Sequence, residues 1–197
     1  MTAAAYYPIF ADLKGRRCVV VGGGAVAQRK VTALLRSGAD VTVISPTLTK
    51  RLLGYARQGK IRHHARRFRP ADLRGAWLVY AATNDQQMNE LAFRTATRQR
   101  IFTNVVDQKP LCSFIAPAIV RRGGLTVAIS TGGGSPSLAK RVRRDLERAM
   151  RDRYAPMLRV LAGLRGAARR RLATSSDRKR YFREALALLE RYAANGH

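Results

Sequence analysis

The sequence predicts an α/β protein: a doubly wound parallel sheet first, then a short antiparallel strand pair, then helices to the end. Three observations predict it. Cys18-Val19-Val20-Val21 runs straight into Gly22-Gly23-Gly24, changes to a helical period, and returns to strand character at Asp40–Ile44. That is a strand, glycine turn, helix and strand within the ~30 residues a parallel crossover needs. Ala76–Ala82 and Ile101–Val106 are continuous apolar runs, the pattern of strands buried on both faces of a parallel sheet. From Leu138 onward the pattern is helical with two interruptions.

The elements follow in order. Tyr6 to Leu13 is an apolar lead-in that Gly15 breaks. The first strand ends in the three glycines; the first helix runs from Ala25 to Ser37, with Val26, Leu34 and Leu35 near one face and Gly38 as its stop. Leu48 to Arg57 reads as a second helix and Lys60 to His64 as a third strand. His63 and His64 point to opposite faces of that strand, which disfavours a shared metal, so they read as surface or edge residues. Phe68–Gly75 is a turn-rich connection; after Ala76–Ala82, Asp85 caps a helix over Gln86–Arg98. Past Asp107, Ser113–Val120 is apolar, Arg121-Arg122-Gly123-Gly124 reads as a hairpin turn, and Leu125–Ser130 alternates as a strand. Ser135 or Ser137 caps the next helix, with Pro136 in its first turn. The terminal helices read as 138–153, 156–172 and 178–193, broken at Pro156 and at Ala173–Asp177.

Gly22-Gly23-Gly24-Ala25-Val26-Ala27 fits G-x-G-x-x-A. Gly22 serves the tight turn, Gly24 the close approach of a pyrophosphate, and Ala27 the packing of helix on strand; the free N–H groups at the helix start face the phosphates. Because the motif lies between a strand and a helix, it predicts a dinucleotide site in a Rossmann-like domain. The end of the second strand reads Ser45-Pro46-Thr47, with no Asp or Glu for a ribose 2′-hydroxyl, so local chemistry leaves NAD against NADP open. In a doubly wound sheet, strand ends line the ligand crevice, which brings Thr83 and Asn84 to the cofactor and Asp107 to a place suited to proton chemistry. Thr131-Gly132-Gly133-Gly134-Ser135 is a second glycine loop before a helix, an anion site backed by Lys140, Arg141 and Arg143, or a simple turn.

Of 197 residues, 38 are Lys or Arg and 12 are Asp or Glu, a net charge of +26 that is spread along the chain. Such a surface attracts nucleic acid, anionic membrane or a polycarboxylate alike. No stretch approaches the ~20 apolar residues of a membrane span, and the N-terminus lacks the features of a secretory signal. Two cysteines without a pairing pattern and three histidines point to a cytoplasmic protein with no metal site.

The chain resembles the precorrin-2 dehydrogenase and sirohydrochlorin ferrochelatase family, the N-terminal half of siroheme synthase. The resemblance rests on PIF (8–10), VVGGGAVAQRK (20–30), GADVTVISP (38–46), AATND (81–85), NVVD (104–107), SFIAPAIVRRG (113–123), TVAISTGGGSPSLAKRVRRDLE (126–147) and RRRLATSSDRKRYF (169–182). It implies NAD-dependent oxidation of precorrin-2 to sirohydrochlorin, with Fe²⁺ insertion in some members. It implies a homodimer made of a Rossmann NAD-binding domain (1–112), a dimerisation domain with exchanged strands (113–150) and a C-terminal helical domain (151–197). Asp107 of NVVD falls at the family's general base. Ala25, Val26, Pro46 and Thr47 fall where the family contacts NAD, joining Gly22, Gly23, Gly24, Ser45, Thr83 and Asn84. Asn104, Ser113, Thr131, Gly132, Gly133 and Ser135 are assigned to the substrate, an octacarboxylate that suits a basic crevice. Thr131 stands where some relatives carry a phosphorylatable serine. The larger members continue into a methyltransferase domain, which a chain ending at His197 is expected to lack. Any iron insertion would use the tetrapyrrole nitrogens as ligands. The competing class is a nucleotide-sensing protein whose basic helices, with Arg169-Arg170-Arg171 among them, bind nucleic acid. No helix-turn-helix, zinc or RNA-binding signature accompanies that reading.

Overall fold

The computed structural model describes residues 6–150 and 154–194. The backbone forms two compact units, residues 1–116 and 117–197.

The first unit is a parallel sheet of five strands: β1 (Arg17–Val21), β2 (Asp40–Ile44), β3 (Arg62–His64), β4 (Leu78–Ala81) and β5 (Phe102–Val105), in the spatial order β3-β2-β1-β4-β5. The chain winds outward from β1 to β3, then returns to add β4 and β5 on the other side of β1. In register, Val21 pairs with both Ile44 and Ala81. The order therefore reverses between β1 and β4, and a crevice opens beyond their carboxyl ends.

Helices α1 (Ala25–Arg36), α2 (Lys50–Arg57) and α3 (Gln86–Arg98) supply the crossovers. Alternate residues face opposite sides, and both sides are covered. Cys18, Val20, Val41 and Val43 pack with Ala27, Val31, Leu34 and Leu52 on one face. Val19, Val21, Val79 and Ala81 pack with Ala92, Ala96 and Val105 on the other. Covering on both faces is why the strands read as unbroken apolar runs. The Asp85 carboxylate accepts the Met88 N–H (3.1 Å), the cap its position predicts. A 3₁₀ turn at Pro70–Leu73 fills part of the turn-rich connection. There Asp72, buried, accepts two hydrogen bonds from Arg66 (2.6 and 2.8 Å) and one from the Arg69 N–H (2.8 Å).

The second unit holds the antiparallel pair β6 (Ala118–Arg122) and β7 (Leu125–Ile129), then α4 (Pro136–Met150), α5 (Tyr154–Arg171) and α6 (Ser175–Ala194). Three expectations are corrected. Arg121 and Arg122 belong to β6, where they pair with Thr126 and Leu125; the turn needs only Gly123-Gly124, with Gly123 at φ 55°. Pro156 lies inside the first turn of α5, where its missing N–H breaks no intrahelical bond. The last helix begins at Ser175 rather than 178, because Thr174 Oγ1 accepts the Asp177 N–H (3.0 Å) and donates to its carboxylate (2.7 Å). The last three residues of the expected helix 138–153 lie outside the described residues. Among the described residues no helix is long and apolar enough to cross a membrane.

Candidate functional site

The three glycines after β1 have three different physical reasons. Gly22 has φ 116°, and a Cβ there would lie 2.3 Å from the Ala82 carbonyl oxygen. Gly23 is closed off by the protein itself: a Cβ would lie 1.9 Å from the Thr47 carbonyl oxygen and 2.8 Å from Ser45 Oγ. At Gly24 a Cβ would meet nothing within 4 Å. The first two glycines let neighbouring backbone approach, and the third leaves open space above the start of α1.

Gly24 caps α1 without a side-chain hydrogen bond, and the first turn carries no acid. The first-turn N–H groups, those of Ala25 and Val26 among them, have no intrahelical acceptor; the first bond of the ladder is Gln28 N–H to Gly24 O (2.9 Å). Free donors and the positive end of the helix dipole make this end a fit for phosphate. The loop after β2 is clamped against it. The Thr49 N–H donates to Gly23 O (3.0 Å), Thr49 Oγ1 donates to Gln28 Oε1 (2.7 Å), and the same oxygen accepts the Leu52 N–H (3.3 Å).

Ser45 is buried, and its N–H donates to His64 O (3.2 Å). His63 Nε2 lies 2.9 Å from Ser45 O; a carbonyl only accepts, so Nε2 carries the proton. His63 is thus an edge-strand residue, as expected, whose ring also braces the cleft wall. Across the crevice, Thr83 Oγ1 lies 2.9 Å from Asn89 Oδ1 and Asn89 Nδ2 donates to Thr83 O (3.0 Å). Asn89 is 3% exposed.

These segments enclose a cleft of about 390 Å³ lined by Gly22, Gly23, Gly24, Ser45, Pro46, Thr47, Thr83 and Asn84, with Arg67, Phe68 and Met88. The eight residues that sequence reasoning assigned to cofactor contact from these three loops thus meet in one place, while Ala25 and Val26 head the adjoining helix. The volume suits part of a dinucleotide rather than all of it. No carboxylate stands at the end of β2 to repel a 2′-phosphate. Thr49, Arg67, Met88 and Asn89 were not foreseen. Only Thr49 left a local trace, as a threonine heading a helix.

Asp107 follows β5 with φ 60°, exposed, while Val106 N–H still pairs with Ala81 O (2.9 Å). Aspartate is one of the few residues that tolerate this left-handed conformation. Asn104 and Ser113 are engaged inward. Asn104 Nδ2 donates to Phe114 O (3.0 Å), and Ser113 Oγ accepts the Thr103 N–H (2.7 Å), so both tie the 112–114 segment to β5. Thr131, Gly132, Gly133 and Ser135 lie in the second unit, between β7 and α4. Gly132 and Gly133 have φ 63° and 84°, Thr131 Oγ1 accepts the Ser135 N–H (3.1 Å), and Ser135 Oγ caps α4 by accepting the Leu138 N–H (3.2 Å). A separate cleft of about 580 Å³ between α5 and α6 has an apolar lining from Leu158, Leu161 and Phe182 and a basic one from Arg165, Arg169 and Lys179. Burial raises the Cys18 thiol to about 11, so it is an inert core group. Among the described residues no group of three His, Cys, Asp or Glu could hold a metal.

Residues 9–118 match a family model described as "Putative NAD(P)-binding", and residues 122–149 match one described as "Sirohaem biosynthesis protein central". The chain is 42% identical over 180 residues to siroheme synthase 2 of Yersinia pestis (strain Pestoides F), covering 91% of this chain and 38% of that protein. It is 43% identical over 177 residues to the siroheme synthase of Methylobacillus flagellatus, covering 90% and 38%. The chain thus spans less than two fifths of the curated relatives it matches. Among solved structures it is similar to SirC, precorrin-2 dehydrogenase, with a TM-score of 0.79, 29% identity, and coverage of 95% of this chain and 100% of that one.

Proposed function

This chain belongs to the NAD(P)-binding family that those matches define in sirohaem biosynthesis, and from that premise we propose that it oxidises precorrin-2 to sirohydrochlorin with NAD⁺. The observation that carries the reading is a fingerprint loop whose glycines leave one open approach, at Gly24, above a helix with unpartnered N–H groups, in a chain that aligns along the full length of a precorrin-2 dehydrogenase.

When bound, NAD⁺ supplies a hydride acceptor. The chain's own residues do the rest. Ala25 and Val26 offer backbone donors to the pyrophosphate, and Ser45, Pro46 and Thr47 hold the ribose end. Thr83, steadied by Asn89, and Asn84 form the opposite wall. Asp107 takes the proton that leaves as the hydride departs, which balances the loss of two hydrogens. Its support is its place: exposed, beyond the carboxyl end of β5. Asn104 and Ser113 shape the segment beside it, and Thr131, Gly132, Gly133 and Ser135 hold substrate carboxylates. Two free cysteines suit a reducing compartment, and we place the enzyme in the cytoplasm.

The proposal includes a homodimer, with residues 113–150 as the strand-exchanging part and 151–197 as the helical part. Its support is that β6 and β7 form a sheet of only two strands, which is not independently stable and leaves two edges to pair. No observation on this chain favours Fe²⁺ insertion, and it is not part of the proposal. Nothing beyond charge favours nucleic-acid binding.

The test is anaerobic conversion of precorrin-2 followed by absorbance, with Asp107→Ala alongside. Sirohydrochlorin should form only with NAD⁺, and the variant should lose at least ~10²-fold in rate while still binding NAD⁺. A wild-type protein that binds NAD⁺ but leaves precorrin-2 unchanged sinks the assignment.

A further inference from the structure

Helix α1 carries a cation that does not line the glycine cleft. Lys30 is half-buried, and its ammonium lies 4.8 Å from the centroid of the Tyr80 ring. Tyr80 is itself buried in β4 and stacks edge-on against Phe114 at 5.4 Å, the residue whose carbonyl Asn104 holds. Burial, first, and Arg29 beside it pull the Lys30 ammonium below the ordinary lysine value, while Asp107 and Cys112 oppose that shift. Tyr80 pairs in register with Asn104, three residues before Asp107. Yet among the described residues no carboxylate comes within ion-pairing distance of Lys30. Tyr80 supplies no anion either, because burial raises its hydroxyl to about 12.

A partly desolvated ammonium set against an aromatic ring, with no carboxylate of the described residues at ion-pairing distance, has given up water without gaining a close counter-charge. An arriving anion would restore it. Side chains on a helix lean toward its N-terminus, so the ammonium of Lys30 is directed to the crevice end of α1. There it lies against Tyr80, beside the strand that leads to Asp107, and it is not among the residues that line the dinucleotide cleft.

We propose that Lys30 is a substrate-binding residue whose ammonium receives a carboxylate of a polycarboxylate tetrapyrrole on the Tyr80 side of the crevice, presenting the ring to Asp107. This rests on the dehydrogenase reading for the identity of the substrate. It adds the residue that orients the substrate, and it explains why α1 continues its fingerprint with a lysine aimed at the sheet rather than at solvent.

The test uses uroporphyrin, an oxidised octacarboxylate porphyrin that needs no turnover to report binding. Its fluorescence would be titrated with wild-type protein, Lys30→Met and Lys30→Arg, with NAD⁺ affinity measured in parallel. Met preserves the stem that packs on Tyr80, and a thermal melt checks that each variant is folded. Lys30→Met should weaken uroporphyrin about tenfold or more, and Lys30→Arg less than about threefold, with NAD⁺ affinity unchanged in both. In turnover, Lys30→Met should raise KM for precorrin-2 and also lower kcat, because the ring is no longer held toward Asp107, and Lys30→Arg should retain more of both. Equal uroporphyrin affinity in wild type and Lys30→Met overturns the proposal, as does a wild type that binds no uroporphyrin. A matching loss of NAD⁺ affinity also overturns it, because Lys30 would then serve the cofactor. If the wild type fails to oxidise precorrin-2 but Lys30→Met still weakens uroporphyrin, the dehydrogenase assignment falls and the carboxylate site stands.

Discussion

The two units of this chain handle apolar surface differently. Within residues 6–116, twenty-four apolar side chains are buried, on both faces of one sheet, whereas the described residues from 117 onward bury five: Val120, Ala139, Met150, Met157 and Ala168. In the second unit Ile119, Leu138, Tyr154, Leu158, Val160, Leu186, Leu188 and Tyr192 remain exposed. The first unit is thus a domain with its own core. The second, with two strands and three helices, is an arrangement whose apolar faces call for a further surface. Sites built in the first unit can be rigid from local packing alone; those in the second have less such packing beneath them.

That contrast can be broken or sharpened by four measurements. The largest effect should come from Gly23→Ala, which would drive a methyl into the Thr47 carbonyl and cost about 3 kcal/mol or more. Its partner, Gly24→Ala, meets nothing within 4 Å at φ −79° and should leave the melting temperature nearly unchanged, yet weaken NAD⁺ binding. Calorimetric titration and a thermal melt read both. If the two variants behave alike, the division of labour among the glycines is wrong.

The next effect concerns the second unit. If a second copy covers it, tenfold dilution should weaken the dimer's stability by about 1.4 kcal/mol. Hydrogen exchange should then speed up in α5 and α6 while β1 to β5 hold; exchange independent of concentration would mean the unit is self-sufficient. Third, Asp72 is held below the usual carboxylate range, chiefly by its bonds to Arg66. A depressed folded value means this contribution is complete above the unfolded pKa of about 4 and is lost as pH falls through the folded value. Asp72→Asn should lower the melting temperature by about 2–4 °C at pH 7, and the gap should close in acid. A gap that persists at pH 2 would assign the loss to packing. The smallest effect is expected at Thr42, buried in β2 with a hydroxyl that has no hydrogen-bond partner among the described residues. Thr42→Val should be neutral or stabilise by up to about 1 kcal/mol, and clear destabilisation in a denaturant melt would imply a partner for that hydroxyl.

The fold was legible wherever the signal was local. The glycine turn, the Asp85 cap and the bounds of α3 each follow from residues within a few positions of one another. The same locality produced the errors: Gly-Gly alone makes the hairpin turn, and Thr174 starts α6 earlier than composition suggested. The three loops that line the cleft were legible too, because each ends a strand. What sequence reading missed is mostly at long range, as in Thr49 on Gln28 and Lys30 over Tyr80, while Asn89 behind Thr83, six residues away, left no pattern of its own.

From sequence alone came the alternation of strand and helix, the G-x-G-x-x-A turn, the aspartate beyond β5 and a strongly basic surface. These depend on backbone conformation, hydrophobic period and charge, all properties of neighbouring residues. The tertiary structure alone decided the strand order β3-β2-β1-β4-β5, in which β4 returns beside β1. It alone showed Gly23 to be sterically obligatory and left Lys30 with no carboxylate at ion-pairing distance among the described residues. Steric exclusion and desolvation act between groups that only folding brings together, so no local pattern could have stated them.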